Sequence, residues 1–164
     1  MSSENKIKLL LVDDEVKFLQ SISKRLALKN FEVTAATNGK EAIESAEKGL
    51  FDVAVVDFQM PGMDGAQVLK TLKAKHRYLE IIMLTGHATI DSAVECTKLG
   101  AFKYLEKPYD FEKLVEIIKE AYETRLKKKF EQNQKRIEEI QRLSIRESPL
   151  GLLKALARLD NEEK

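Results

Sequence analysis

The chain has 164 residues, enough for one domain of ordinary size and an appendage. Hydrophobic residues make up 43% and charged residues 34%, which allows a packed core and suggests a long solvated helix beside it. A net charge of +1 and a single cysteine, Cys96, exclude a strong whole-chain pull toward nucleic acid or acidic membrane and any internal disulfide.

From its start, Met1-Ser2-Ser3-Glu4-Asn5-Lys6 has no apolar signal core, and no run approaches the ~18 apolar residues of a membrane span. The expectation is a soluble, unsecreted, cytoplasmic protein. Short apolar runs then alternate with segments of helical period, the pattern of a βαβ series. Ile7–Val12 reads as a first strand. The helix Glu15–Lys29 follows, with Phe18, Leu19, Ile22 and Leu26 on one face. Phe31–Ala36 alternates Phe31, Val33 and Ala35 against Glu32 and Thr34, as a half-exposed edge strand does. Asn38-Gly39 opens the helix Lys40–Lys48, and Gly49 closes it. Asp52–Val56 is apolar enough for a central strand. Met60–Gly65 is a loop, Ala66–Lys75 a helix, Leu79–Leu84 a buried strand and Thr89–Leu99 a helix stopped by Gly100. Ala101–Leu105 is the fifth strand, and Asp110 caps the last helix.

These elements predict an α/β fold, a (βα)₅ doubly wound parallel sheet with helices on both faces. The edge-like second strand and the buried first and third favour the flavodoxin-like order 2-1-3-4-5. Helical composition continues from Phe111 to about Ile145, and at ~1.5 Å per residue such a helix reaches roughly 50 Å. Phe111, Val115, Ile118, Tyr122, Leu126, Phe130, Ile137 and Ile140 recur mostly at fours and threes, with Asn133 in the same stripe. This pattern suits a docked helix that becomes a coiled-coil seam. A homodimer through residues 111–145 is one expectation; a solvated helix is the other, since Glu123–Glu147 holds eight basic and five acidic residues. Nucleic-acid and membrane partners are not expected there. Leu150–Leu159 reads as a short further helix. Residues 1–125 are expected to form the main domain and 126–164 a helical extension, with nothing after Lys107 long enough for another enzymatic or a compact DNA-binding domain.

In the predicted order, the carboxyl ends of the strands share one edge, where open α/β sheets bind ligands. Asp13 and Asp14 follow the first strand, Asp57 the third, Thr85 the fourth and Lys107 the fifth. Carboxylates hold Mg²⁺, and a hydroxyl and an ammonium suit phosphoryl oxygens, so the set points to phosphoryl transfer to an aspartate. Taken singly, Asp13-Asp14 reads as a turn or helix cap, Asp57 as a cap and Lys107 as solvated surface.

Together, Leu11-Val12-Asp13-Asp14-Glu15, Val56-Asp57-Phe58-Gln59-Met60-Pro61-Gly62-Met63-Asp64-Gly65, Leu84-Thr85-Gly86-His87 and Leu105-Glu106-Lys107-Pro108 resemble the receiver domain of two-component response regulators. The resemblance runs from Lys6 to about Arg125 and is strongest to receivers of the NtrC type. It implies that Asp57 takes a phosphoryl group from a phosphohistidine on a sensor histidine kinase or phosphotransfer protein. It also implies that Asp13, Asp14, Asp57 and the backbone carbonyl of Gln59 hold Mg²⁺, and that Lys107, aimed by a cis bond to Pro108, meets a phosphoryl oxygen. Thr85 and Tyr104 would form a switch that alters a surface read by a downstream protein target. Gln59 and His87 would border the phosphoryl group and set its lifetime. Such a domain catalyses only its own phosphorylation and dephosphorylation. Two other readings stay open: a phosphate-independent adaptor, and an aspartyl-phosphate phosphohydrolase, whose nucleophile would instead follow the first strand.

Overall fold

Residues that read as continuous apolar runs do so because both faces of their strands are covered. The computed structural model describes residues 5–107, 109–146 and 148–162. Strands β1 (Ile7–Val12), β2 (Phe31–Ala36), β3 (Val53–Asp57), β4 (Glu80–Thr85) and β5 (Lys103–Glu106) are all parallel, in the order β2-β1-β3-β4-β5. Between them run the helices α1 (Val16–Leu28), α2 (Gly39–Lys48), α3 (Gly65–Lys75) and α4 (Ile90–Lys98). Helices α5 (Phe111–Arg146) and α6 (Pro149–Glu162) follow. This is the flavodoxin-like doubly wound sheet, with the long last helix that the composition suggested.

Successive strand residues point to opposite faces, and the two cores follow that parity. Leu9, Leu11, Val53, Val55, Ile82 and Leu84 pack with Leu19, Ile22 and Leu26 of α1 and Leu114, Val115, Ile118 and Ala121 of α5. Leu10, Val12, Ala54, Val56, Ile81 and Met83 pack with Ala42 and Ala46 of α2, Val68, Leu69 and Leu72 of α3, and Cys96 of α4. A one-residue slip of a central strand would exchange these two sets, so the register is fixed by packing on both sides.

Several boundaries differ from the sequence reading for local reasons. The fifth strand starts at Lys103, not Ala101, because the Ala101 N–H is used to close α4 on the Cys96 carbonyl at 3.0 Å. Gly100, at φ +97°, makes that turn possible. The edge strand loses its alternation at the end, where Ala35 is exposed and Ala36 buried, and the Ala36 carbonyl accepts the Asp13 N–H at 3.1 Å. The further helix starts at Pro149, not Leu150: Pro149 fits the first turn, which needs no N–H, and Ser148 Oγ accepts the Gly151 N–H at 3.2 Å. His76 is half-buried with Nε2 enclosed, and its N–H ends α3 on the Leu72 carbonyl at 2.8 Å. Pro108 and the Lys107–Pro108 bond lie outside the described residues.

The chain divides into two compact units between Arg125 and Leu126. In the first, α5 is tied to the amino end of the sheet. Asp52 Oδ2 accepts the Lys8 N–H at 2.9 Å, and its Oδ1 meets Arg125 Nε at 3.1 Å. In the second, α6 covers one side of the end of α5: Ala155 is buried and Arg136 pairs with Asp160. Leu126, Phe130 and Ile137 remain exposed on α5. No described helix is long and apolar enough to cross a membrane.

Candidate functional site

Pairing of β1 with β3 sets Val12 beside Val56, so the residues that follow, Asp13 and Asp57, emerge as neighbours at the carboxyl edge. Asp14 joins them: oxygens of Asp13, Asp14 and Asp57 all lie within 4.8 Å of one another. Asp13 and Asp57 are buried and Asp14 is exposed, so the cluster has a closed floor and an open rim. Lys107 reaches in from the segment after β5. Its Nζ lies 2.8 Å from Asp13 Oδ2 and 3.7 Å from Asp57 Oδ2, and it sits 4.6 Å from the centre of the Phe18 ring. The Lys107 backbone N–H donates to the Thr85 carbonyl at 2.6 Å, which fixes the root of that side chain.

Backbone bonds orient both buried carboxylates. Asp13 Oδ1 accepts the Glu15 N–H at 2.9 Å, so Asp13 has both oxygens engaged. Asp57 Oδ1 accepts the Gln59 N–H at 3.2 Å, and its Oδ2 has the looser contact to Lys107. Of the two buried carboxylates, Asp57 is therefore the less tightly engaged. The hydrolase alternative needs the reverse, a nucleophile after the first strand.

Burial dominates the charge state of Asp57. Loss of solvent pushes its carboxyl up to about 6, with Lys107 opposing and the Asp13 charge reinforcing the rise. For Lys107, burial pulls the ammonium down, but the hydrogen bond and charge of Asp13, with Asp57, outweigh it and hold the group above its ordinary value. Lys107 therefore stays cationic. Three crowded carboxylates around one such cation, open on one side, suit a small hard cation that takes oxygen ligands and keeps several waters.

Thr85 ends β4, the neighbour of β3, and is fully buried. Its Oγ1 accepts the His87 N–H at 3.1 Å, an arrangement that leaves the hydroxyl proton available to an acceptor. Gln59 and His87 lie exposed on the loops beyond β3 and β4. Tyr104 is in β5, paired with Met83, and its ring stands edge-on to Phe58 with centroids 6.2 Å apart. The two buried carboxylates and Lys107 are thus in mutual contact, with Asp14 beside them. Thr85, Gln59 and His87 lie on the adjoining loop bases, and Tyr104 stands one strand away.

Two positions were not singled out from the sequence. A Cβ on Gly65 would come within 2.5 Å of Phe58 Cα and 2.6 Å of the Asp57 carbonyl oxygen, so only glycine lets α3 start against the backbone that carries Asp57. Its N–H closes the loop on the Phe58 carbonyl at 2.9 Å. The signal was its place directly after Asp64, whose Oδ1 caps α3 on the Gln67 N–H at 2.9 Å. The other position, Ser92 of α4, bonds to Tyr104.

The family model for the response regulator receiver domain matches residues 9–119. Among curated proteins, the chain is 36% identical over 111 residues to the DNA-binding transcriptional regulator NtrC of Escherichia coli K12, covering 68% of this chain and 24% of that protein. It is 35% identical over 121 residues to the transcriptional regulatory protein ZraR of Klebsiella oxytoca, covering 74% of this chain and 27% of that protein. The chain thus spans about a quarter of the length of these relatives. Among solved structures, a CheY-like receiver domain protein from Methanospirillum hungatei JF-1 superposes with a TM-score of 0.73 at 29% identity, covering 76% of this chain and 99% of that one. The beryllofluoride-activated NtrC4 receiver domain dimer gives 0.68 at 33% identity, covering 72% and 98%.

The raised Asp57 carboxyl has a consequence for stability. An acid whose value rises from its ordinary 3.8 to about 6 in the fold favours its protonated form there. Its ionisation therefore destabilises the fold fully above that range and not at all below the unfolded value. In magnesium-free buffer, Asp57→Asn should stabilise the protein by on the order of 2 kcal/mol at about pH 7.5, and the gain should shrink toward zero near pH 4. Urea unfolding at both pH values measures this; an equal gain at the two would contradict the burial argument.

Proposed function

The chain belongs to the response regulator receiver domain family, the receiving module of two-component signalling, and on that premise we propose that Asp57 accepts a phosphoryl group and so switches a protein-binding surface. The observation that supports this most directly is the juxtaposition of Asp57 with Asp13, Asp14 and Lys107 in one crevice. The donor is a phosphohistidine on a sensor histidine kinase or phosphotransfer protein, and the recipient of the signal is a downstream protein. Residues 1–125 are the receiver, and residues 126–164 a helical extension of it.

Asp13, Asp14, Asp57 and the Gln59 carbonyl would hold Mg²⁺, which when bound supplies positive charge that offsets a phosphoryl donor's repulsion by the carboxylates. The chain's own groups do the rest. An Asp57 oxygen attacks phosphorus in line and forms an acyl phosphate as the bond to the donor imidazole nitrogen breaks. Lys107 moves its charge onto a phosphoryl oxygen, and Thr85 donates its hydroxyl proton to another. The phosphoryl group adds about −1.5 to −2 charge. To take the surface from 1:99 to 99:1 it must favour the altered state by about 5.5 kcal/mol. Thr85 and Tyr104 carry that bias to the face formed by α4 and β5. Water later returns Asp57 to its carboxylate, at a rate tuned by Gln59 and His87.

A homodimer through residues 111–145 is supported by the exposure of Leu126, Phe130 and Ile137 on one stripe of α5, with α6 covering a different side.

Intact-mass measurement after acetyl phosphate with Mg²⁺ should show one added phosphoryl group on the parent and none on Asp57→Asn; uptake by both would dislodge Asp57 as acceptor. Replacing Gln59 or His87 should change the lifetime of that phosphoryl group several-fold and its rate of formation much less. Lifetimes equal to the parent's in both variants would remove them from the site. Light scattering should give twice the chain mass for the parent and one chain mass for Phe130→Glu with Ile137→Glu, whereas equal masses would dismiss the dimer.

A further inference from the structure

The hydroxyl of Tyr104 lies 2.5 Å from Ser92 Oγ, across the gap between β5 and α4. Ser92 is not an ordinary surface serine. It is largely buried and is the third residue of α4, whose N-cap is Thr89. Thr89 Oγ1 accepts the Ser92 N–H at 3.0 Å, and Ser92 Oγ accepts the Thr89 N–H at 3.2 Å, a reciprocal capping box.

The Ser92 oxygen is crowded with partners. It lies 3.1 Å from the Thr89 carbonyl oxygen, which can only accept, and 2.8 Å from Thr89 Oγ1, whose hydroxyl can donate to it. In the Ser92–Tyr104 bond either hydroxyl can be the donor. The tyrosine hydroxyl is thus bonded to the same oxygen that caps α4, and the edge-on Phe58 ring limits where the Tyr104 ring can go. On the other side, only Gly86, His87 and Ala88 separate Thr89 from Thr85, whose Oγ1 holds the His87 N–H. A displacement of Thr85 therefore reaches Thr89 through a very short link and meets Tyr104 at Ser92.

We infer that Ser92 is a positioning residue for Tyr104. Its hydroxyl joins the aromatic side chain of β5 to the first turn of α4, so that the two respond as one unit to events at Asp57. This inference rests on the proposed phosphoacceptor function. It adds to it a specific mechanical joint, at a residue outside the phosphate and metal groups.

The test uses the full chain with Mg²⁺ and beryllofluoride as the phosphoryl mimic. NMR follows the α4 amides from Ile90 to Ala93 and a fluorotyrosine signal assigned to Tyr104. In the parent both should shift. Tyr104→Phe keeps the ring and the cap but removes the hydroxyl; Ser92→Ala removes its partner on α4. Each should reduce the α4 shift to under about half of the parent's, and the double variant should fall no further than either single one, as expected for two ends of one bond. Ser92→Thr, which keeps a hydroxyl there, should restore the response. Additive losses in the double variant, or an unchanged α4 shift in Tyr104→Phe, would overturn the inference. Phosphoryl uptake from acetyl phosphate, weighed on the same proteins, separates the two levels of failure. Uptake without coupled shifts sinks the joint alone, whereas a parent that takes up no phosphoryl group sinks the phosphoacceptor reading and the joint with it.

Discussion

A half-buried lysine held between two buried aspartates is the constraint on which the rest of the molecule turns. Asp13, Asp14 and Asp57 have oxygens within 4.8 Å of one another. At an effective dielectric of about 20, two unit charges at that distance repel by roughly 3.5 kcal/mol. No stable fold would gather three such groups without compensation. Lys107 supplies part of it from the opposite end of the domain sequence, at 2.8 Å from Asp13 and 3.7 Å from Asp57. Burial still pushes the Asp57 carboxyl up to about 6 against that attraction. Three acids around one lysine leave the crevice with excess negative charge, which suits a divalent cation.

That strain is supported by the sheet. Leu9 to Val12, Val53 to Val56 and Ile81 to Leu84 are buried almost completely, with side chains locked into a core on each face. Burying such residues contributes about 2 kcal/mol each, enough in sum to hold polar groups at the edge in an arrangement they would not adopt unaided. The same close packing lets small displacements travel. Gly65 brings α3 against the backbone of Asp57 and Phe58, Phe58 stands against Tyr104, and Tyr104 bonds to the cap of α4. Under the proposed function, rigid neighbours on every side would convert an added charge at the edge into a change at the surface, where a looser core would absorb it.

Much of this was legible in residue order. Alternation of apolar runs with helical periods specified five strands and their helices, because strands covered on both faces cannot carry polar residues and amphipathic helices must. The contrast between the edge strand and its buried neighbours specified the strand order. What periodicity could not place were the ends. Ala101 reads as strand by composition, yet its N–H serves the turn that Gly100 makes possible. The short further helix reads as Leu150–Leu159, yet it starts at Pro149, because a proline suits a first helical turn that needs no N–H and Ser148 accepts the Gly151 N–H.

The sequence by itself determined which chemical groups the site would contain: acids after the first and third strands, a hydroxyl after the fourth and a lysine after the fifth. It did so because residue type at a strand end is local information. Only the tertiary structure decided how those groups share the work. That Asp13 is engaged on both oxygens while Asp57 is less tightly held depends on a contact between residues 94 positions apart. That Ser92 meets Tyr104 depends on how α4 lies over β5, and that Gly65 must be glycine depends on a backbone approach. Distances of a few ångströms between remote segments are set by the packing of the whole core, and no local pattern of residues encodes them.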